Sequence, residues 1–279
     1  MSDLILFWHR RDLRISDNTG IAAALEKSRK VVGVFCLDPN ILEGDDVAAV
    51  RVTYMIGCLQ KLQERYARMS SQLLILWDNP LIAIPKLAAT LQAKAVYWNW
   101  DVEPYSQKRD ADVINALQEK GIEYLDKNWD QLLNSPDFIR TGSDNPYSVY
   151  TPFWKNLSSK HKDSPVEIAE KFEGLTAEEK ETASKAGVVE LPRLKDLGFN
   201  WDGELIITPG EEAAQERLEE FCHSAINEYQ EQRNFPAIDG TSRLSAALKF
   251  GAIGIRTVWK ATEDALENSR SEELETNIR

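Results

Sequence analysis

Short apolar runs alternate with longer helical patterns through the first 126 residues of the chain. Five of these runs lack regular alternation with polar residues, and they lie at 4–9, 31–36, 73–77, 95–98 and 123–125. Such runs are typical of strands that are covered on both faces, as in parallel sheets. The stretches between them, such as 47–69 and 105–120, repeat apolar residues at helical spacing. The pattern predicts an α/β fold with a doubly wound, parallel, five-stranded sheet, flanked by helices through right-handed crossovers.

A long connector follows the predicted sheet. The alternation stops at Lys127, and six prolines punctuate the stretch up to about Gly210. Connections of this length usually carry a function or span between domains. We therefore divide the chain into an α/β domain at 1–130, an interdomain connector at 131–209 and the start of a helical domain at 210–279.

Three helical patterns follow the connector. The segment 211–230 places apolar residues on one stripe and acidic residues in its first turn, where the helix dipole favours them. Segments 242–250 and 255–266 continue the pattern, and residues 275–279 contain no glycine or proline that would end a helix. About 70 residues in three helices bury little surface, so we expect an incomplete domain and a truncated chain.

Composition excludes several classes of protein. The chain has 279 residues, 43% of them hydrophobic and 28% charged, which is typical of globular domains. No apolar run approaches the roughly 18 residues of a membrane helix, and the first residues lack the features of a signal peptide. Three widely spaced cysteines predict reduced thiols, with neither a disulfide framework nor a zinc site. We expect a cytoplasmic monomer that binds no metal and no membrane.

The net charge restricts the possible partners. Thirty-three basic and 45 acidic residues give a net charge of −12 at pH 7, so the chain as a whole should repel nucleic-acid phosphates. Binding to DNA would need a local basic patch. Serine hydrolase chemistry is disfavoured as well, because the sequence has no G-x-S-x-G motif and no pattern ties its three histidines to a nucleophile.

A charged turn follows the first predicted strand, where many nucleotide-binding domains carry a G-x-G-x-x-G motif. Residues 9–14 read His-Arg-Arg-Asp-Leu-Arg instead, so the usual dinucleotide site is disfavoured. The arginines and Asp12, with Asp17 and Asn18 nearby, can form either a buried ion-pair corner or a direct ligand contact. We favour the ion-pair corner.

Polar residues follow the second and fourth predicted strands. Cys36 ends the second strand, Asp101 and Glu103 follow the fourth, and Arg51 lies early in a helix between them. The carboxyl ends of parallel strands meet at one edge of the sheet, where open α/β sheets bind ligands. Two tryptophans beside Asp101 supply flat surface, so these residues suit a planar polar chromophore. Core packing and a helix cap are the alternative interpretation.

Residues 240–245, Gly-Thr-Ser-Arg-Leu-Ser, lie at the start of a predicted helix. Backbone amides at a helix start, the hydroxyls of Thr241, Ser242 and Ser245, and the cation of Arg243 suit a pyrophosphate. A plain helix cap is the alternative.

Taken in order, three segments resemble the DNA photolyase and cryptochrome family. They are residues 7–18 (FWHRRDLRISDN), 147–155 (YSVYTPFWK) and 234–245, which begins with Asn-Phe-Pro and ends with the hydroxyl-rich hexapeptide. The resemblance covers essentially all 279 residues and implies a Rossmann-like domain for a light-harvesting chromophore, a connector and a helical FAD-binding domain. In that family, light-excited reduced flavin gives an electron to a cyclobutane pyrimidine dimer flipped out of DNA, and the dimer splits.

The resemblance assigns two sets of contacts. The FAD contacts would be Tyr229, Thr241, Ser242, Arg243, Leu244 and Ser245. Residues 247–256 resemble the branch with an 8-hydroxy-5-deazaflavin antenna, whose pocket would comprise Cys36, Arg51, Asp101, Glu103 and Lys249. Lys249 would reach across the domain interface, where a cation stabilises the ionised 8-hydroxyl group. A folate antenna, or none, is the alternative.

Family members continue beyond Arg279 with helices that carry the rest of the flavin pocket, the dimer contacts and most of the basic DNA groove. The resemblance therefore implies no catalytic residue within this chain, and damaged DNA bound mainly through the missing part. Three functions stay open: a deoxyribodipyrimidine photolyase, a cryptochrome photoreceptor without repair activity, and an antenna-binding fragment without stable flavin. We favour the photolyase.

Overall fold

Six strands form the central sheet in a computed structural model, which describes residues 3–268. The strands are β1 (Ile5–His9), β2 (Val31–Leu37), β3 (Leu73–Trp77), β4 (Ala95–Asn99), β5 (Glu123–Asn128) and β6 (Val188–Val189). Their order across the sheet is β5-β4-β1-β2-β3-β6, and β1 to β5 run parallel. The α/β fold and all five predicted strands are confirmed.

The sheet has one strand more than the sequence predicted. β6 comes from the connector and pairs antiparallel with β3, with Val188 opposite Leu76 and Val189 opposite Ile75. Two residues are too short to give the periodic signal by which a strand is recognised in sequence. β6 covers the outer edge of β3, whose backbone groups would otherwise be unpaired.

Helices cover both faces of the sheet and continue after the connector. Within residues 3–268 they are α1 (Thr19–Lys27), α2 (Pro39–Leu42), α3 (Ala49–Arg68), α4 (Pro80–Thr90), α5 (Pro104–Glu119), α6 (Tyr150–Ser159), α7 (Ala177–Lys185), α8 (Glu211–His223), α9 (Tyr229–Gln232), α10 (Ser245–Phe250) and α11 (Ile255–Glu267). Local sequence explains several starts. The Asn18 side chain accepts from two amides of α1, and proline occupies the first turn of α4 and α5.

Each face of the sheet has its own apolar core. Phe7 and its neighbours on one face pack with α1, α3, Leu218 of α8 and Ile253, which lies between α10 and α11. Trp8 and the residues that point to the other face pack with α4, α5 and α7. The strands are therefore buried on both sides, which explains why their sequences do not alternate with polar residues.

The later helices differ from their predicted bounds. The predicted helix 211–230 ends at His223 because Ser224 has non-helical backbone angles, and a 3-10 turn and α9 follow. The connector contains α6, α7 and β6. The expectation of a truncated chain rested partly on residues 275–279, which lie outside the described residues. No helix within residues 3–268 is both long enough and apolar enough to cross a membrane.

Candidate functional site

The turn between β1 and α1 is a buried ion-pair corner. The His9 imidazole lies 2.8 Å from both the Asp12 carbonyl oxygen and the Tyr66 hydroxyl. Burial alone would raise the pKa of Asp12, but hydrogen bonds and charges from His9 and Arg10 hold that pKa well below its ordinary value. Arg10 pairs with Asp110 on α5. The structure thus confirms that charged partners within the protein occupy this corner.

Two arginines extend the corner to the rest of the chain. Arg14 donates to Asp130 at 2.6 Å, and Arg256 of α11 donates to Asp17 and Asp130 at 2.7 Å each. All four side chains are buried. The network joins the β1–α1 turn, the end of the α/β domain at Asp130 and α11. Sequence reasoning missed Asp130 and Arg256, because no local pattern pairs residues more than 100 positions apart.

Arg11 faces the two acids that follow β4. Its Nη1 atom lies 2.9 Å from Glu103 Oε1 and 3.8 Å from Asp101 Oδ1. Burial would raise the pKa of Asp101, but a hydrogen bond from the Glu103 amide and the charges of Arg10 and Arg11 lower it overall. Arg11 Nε is buried and has no hydrogen-bond partner among the described residues. This edge therefore combines an ionised carboxylate with an arginine that keeps one donor free.

The end of β2 lies beside the start of α5. Asp38 accepts a hydrogen bond from the Tyr105 hydroxyl at 2.5 Å. The Cys36 thiol donates to the Asp78 carbonyl at 3.1 Å, and burial raises its pKa to about 12. Cys36 is therefore a neutral thiol at pH 7, suited to packing and not to nucleophilic chemistry. Sequence reasoning did not select Asp38 or Tyr105, although each adjoins a proline that starts a helix.

Two cations lie near this edge. Arg51 lies in the first turn of α3 and Lys249 in the last turn of α10, and both are exposed. The two helices meet where the rings of Tyr54 and Phe250 lie 5.6 Å apart. The Leu13 amide donates to the Phe250 carbonyl at 3.0 Å, so the end of α10 adjoins the β1–α1 turn. Neither cation forms an ion pair within the described residues.

The five predicted antenna residues thus lie on elements that meet at the carboxyl edge of the sheet. They are Cys36, Arg51, Asp101, Glu103 and Lys249. The two nearby tryptophans have other roles: Trp98 is buried against Trp8 at 5.7 Å, and Trp100 packs on Trp129 at 5.3 Å. For Trp98, the core interpretation is therefore correct.

The predicted phosphate-binding segment is an irregular loop before α10. The helix begins at Ser245 and not at Ser242, because Arg243 has a φ of 52°, outside the helical range. Thr241 and Ser242 are half-buried, and their hydroxyls have no partner among the described residues. The Leu244 side chain lies in the core, so a ligand at this loop would meet the Leu244 backbone and not its side chain.

An arginine of α8 supports this loop. Arg217 donates to the carbonyl oxygens of Thr241 at 2.6 Å and Ser242 at 3.1 Å. Asp239 accepts from both Arg217 and Arg243 at 2.8 Å. Sequence reasoning missed Arg217 and its partner Asp239. An arginine on the polar side of an amphipathic helix resembles any solvated residue, so nothing in the sequence marks Arg217 as a support for the loop.

The two predicted sets of contacts are linked through α10. This helix of six residues is about 9 Å long, with Ser245 at one end and Lys249 near the other. Tyr229 lies on α9, where its ring contacts Phe221 at 5.8 Å and the Arg233 guanidinium at 5.5 Å. Because Ser245 and Lys249 both lie on α10, a shift of this helix would move one residue of each set.

The loop before α10 and the carboxyl edge of the sheet suit different kinds of ligand. The loop at 239–245 presents hydroxyls and a cation, which suit an anionic group such as a diphosphate. The sheet edge presents two acidic side chains and cations, which suit a planar polar molecule. No group of three or more His, Cys, Asp or Glu side chains within residues 3–268 could hold a metal ion.

Comparison with known proteins identifies the family. The family model described as DNA photolyase matches residues 5–172, which include the whole parallel sheet and the β1–α1 turn. The chain belongs to the DNA photolyase family. The resemblance stated from the sequence motifs is confirmed at this level.

Two relatives match this chain along nearly its whole length. The deoxyribodipyrimidine photo-lyase of Synechococcus sp. (strain ATCC 27144) is 53% identical over 279 residues, which cover 100% of this chain and 57% of the relative. An uncharacterized 31.6 kDa protein in the atpI 5′ region of Synechococcus sp. (strain PCC 6716) is 51% identical over 276 residues, 99% of this chain and 95% of the relative. The chain thus spans little more than half of the first relative.

A solved photolyase shares the fold. The crystal structure of an archaeal photolyase from Sulfolobus tokodaii with two FAD molecules superposes with a TM-score of 0.75 at 23% identity. The match covers 98% of this chain and 56% of that one. At this identity the likeness establishes the architecture, including the sheet and the helices that follow the connector.

Proposed function

We propose that this chain forms the antenna domain and part of the flavin-binding region of a deoxyribodipyrimidine photolyase, which repairs cyclobutane pyrimidine dimers in DNA with light. The observation that carries the proposal is the 53% identity with the Synechococcus photo-lyase along the entire chain. The fold supports it, because the sheet edge and the loop before α10 offer places for two organic cofactors.

FAD is the cofactor that we assign to the loop at 239–245. The free hydroxyls of Thr241 and Ser242 would hydrogen-bond a diphosphate, and Arg243 would add a positive charge. Arg217 holds the loop in this shape through the carbonyl oxygens of Thr241 and Ser242. Bound and reduced, FAD would supply the electron that splits the dimer under light. The FAD molecules in the Sulfolobus photolyase support the assignment.

An 8-hydroxy-5-deazaflavin is the antenna that we assign to the sheet edge. Asp101 and Glu103 would accept hydrogen bonds from a polar ring system, and the free Nε of Arg11 would donate one. Arg51 and Lys249 carry charges that no described residue neutralises, which suits a ligand with an anionic oxygen. Cys36 supplies a neutral packing surface beside them.

Damaged DNA is the substrate in this proposal. The chain carries a net charge of −12, so we assign most of the contacts with DNA phosphates to parts of a photolyase outside the 279 residues. The described residues would orient the cofactors and keep water from them.

A chimera tests the function. This chain replaces the matching region of the Synechococcus photo-lyase, and the product is assayed with ultraviolet-irradiated oligonucleotides that contain thymine dimers. We expect dimer splitting under blue light and none in the dark. A chimera that binds FAD and dimer-containing DNA but leaves the dimers intact under light would contradict repair and favour a photoreceptor.

Lys249→Ala tests the antenna site in the isolated chain, expressed in a host that makes deazaflavin. We expect binding of the chromophore to weaken about tenfold, equivalent to about 1.4 kcal/mol, and its absorption band to weaken or shift to the blue. Absorption spectra and equilibrium dialysis measure both effects. The control is Lys94→Ala, because Lys94 is exposed at the opposite end of the sheet. Equal spectra for the two variants would remove Lys249 from the site.

A further inference from the structure

Arg217 of α8 binds three acceptors in the loop before α10. Its Nε atom donates to the Ser242 carbonyl oxygen at 3.1 Å, and its Nη2 atom donates to the Thr241 carbonyl oxygen at 2.6 Å and to Asp239 Oδ1 at 2.8 Å. Only 22% of the Arg217 side chain is exposed, so water competes little for these bonds. A planar guanidinium that meets two successive carbonyls and a carboxylate fixes the path of the backbone between them.

The two carbonyls determine where the following amides point. In a planar trans peptide, the carbonyl oxygen and the next N–H group lie on opposite sides. No peptide bond in the described part of the chain is cis. Because Thr241 and Ser242 turn their carbonyls toward Arg217, the N–H groups of Ser242 and Arg243 point to the other side of the loop.

The backbone of Arg243 adds to this arrangement. Its φ of 52° is left-handed, which is unfavourable for a residue with a β-carbon, and Leu244 follows with a φ of −83° and a ψ of 1°. Successive residues of opposite hand turn their N–H groups into one concavity that attracts anions. The amides of Ser242, Arg243 and Leu244 have no acceptor within residues 3–268. They are therefore free to donate to a ligand.

Asp239 connects Arg217 to Arg243. The same Oδ1 atom that accepts from Arg217 also accepts from Arg243 Nε at 2.8 Å. Arg243 is thus held at its side chain by Asp239 and through the preceding carbonyl, that of Ser242, by Arg217. Unfavourable backbone conformations persist where several contacts hold them, and they are common at ligand-binding loops.

We propose that Arg217 is a positioning residue for the diphosphate of FAD, and that Asp239 acts with it. Arg217 acts through the loop backbone, and Asp239 acts through the side chain of Arg243. The inference rests on the assignment of FAD to this loop and adds the two residues that shape it. A loop whose donors are already aimed loses less freedom when the ligand binds, so both residues raise the affinity for FAD.

Arg217→Met tests the positioning in the chimera that contains this whole chain. FAD is titrated in darkness into the flavin-free chimera, and the quenching of FAD fluorescence gives the dissociation constant. We expect this constant to rise at least about tenfold, because the loop must then be ordered by the ligand. At saturating FAD the flavin absorption band should keep its shape, because the altered contacts lie at the diphosphate and not at the ring system. General damage to the flavin pocket would change that band.

Two further variants separate geometry from charge at this arginine. Arg217→Lys keeps the positive charge but lacks the planar fork that reaches two carbonyls and a carboxylate. We expect it to weaken FAD binding by a factor similar to that of Arg217→Met. Glu220→Gln is the control, because Glu220 lies 3.6 Å from Arg217 Nη1 but is 70% exposed and takes no part in the loop. It should leave the dissociation constant unchanged.

Asp239→Ala tests the proposal by the sign of its effect. If only charge mattered, removing a carboxylate near a diphosphate would tighten FAD binding. We expect binding to weaken by about threefold instead, because Arg243 loses a contact that holds the loop in its binding shape. The Asp239 side chain is 52% exposed, so this variant should fold normally even if Arg217→Met does not.

Three outcomes would overturn the proposal. They are an unchanged dissociation constant in Arg217→Met, full affinity in Arg217→Lys, and tighter binding in Asp239→Ala. The titrations need neither light nor DNA. A chimera that binds FAD but leaves dimers intact would contradict repair and not the positioning role. A chimera that repairs dimers, combined with any of the three outcomes, would contradict the positioning role alone.

Discussion

Replacing Arg256 by methionine is expected to lower the free energy of unfolding by about 3–5 kcal/mol. Arg256 is buried, and its guanidinium donates to the carboxylates of Asp17 and Asp130 at 2.7 Å each. Methionine fills similar volume but leaves two buried carboxylates short of a positive partner. Arg14 still pairs with Asp130, and Thr257 still donates to Asp17, so the loss should be large but not complete. Urea denaturation measures it.

Lys260→Met is the control on the same helix. Lys260 pairs with Asp264 at 2.7 Å, but both side chains are half exposed. Exposed pairs of this kind contribute about 0–1 kcal/mol, so the control should change stability little. If both variants lower the free energy of unfolding by the same amount, burial does not strengthen the ion pairs of Arg256.

The Arg256 network also has a place in the proposed function. It connects α11 to the β1–α1 turn and to Asp130, the buried last residue of the α/β domain before the connector. The loop at 239–245 and the sheet edge therefore hold their relative positions partly through charges in the interior. Energy transfer between two pigments depends on their separation, so the network would matter to an antenna.

The sheet could be predicted from the sequence because its strands are buried on both faces. Runs such as Val31–Leu37 contain no polar residue, and this property is local. β6 could not be predicted, because its two valines become a strand through the open edge of β3. The start of α10 was misplaced for a similar reason. The positive φ of Arg243 depends on contacts with α8 and Asp239 that local propensity does not include.

The candidate site was predictable in part. Topology alone places Asp101 and Glu103 at a strand end, where ligands bind open sheets. Lys249 came from the family resemblance, because nothing local distinguishes one exposed lysine from another. Arg11 and Tyr105 were missed as partners, since each finds its carboxylate across 67 to 92 residues of chain. Long-range pairing of charges requires the fold.

Gly251→Ala is expected to lower the free energy of unfolding by about 2–5 kcal/mol and to weaken binding of the proposed antenna. Gly251 ends α10 with a φ of 65°, which costs other residues about 1–2 kcal/mol. A β-carbon there would lie 2.0 Å from the Arg11 carbonyl oxygen, so the backbone of the β1–α1 turn or of α10 would have to move. Such overpacking typically adds about 1–3 kcal/mol. Urea denaturation and the bound chromophore fraction measure the two effects.

Gly121→Ala separates the two contributions. Gly121 has nearly the same φ, 67°, but a β-carbon there would meet no atom within 4 Å. It should therefore show the backbone strain alone, about 1–2 kcal/mol, and normal chromophore binding. The difference between the variants measures the close contact of α10 with the β1–α1 turn. If the two variants lose the same free energy of unfolding, the β1–α1 turn moves without cost when a β-carbon is added at Gly251. The close contact at Gly251 would then not fix the position of Lys249 at the sheet edge.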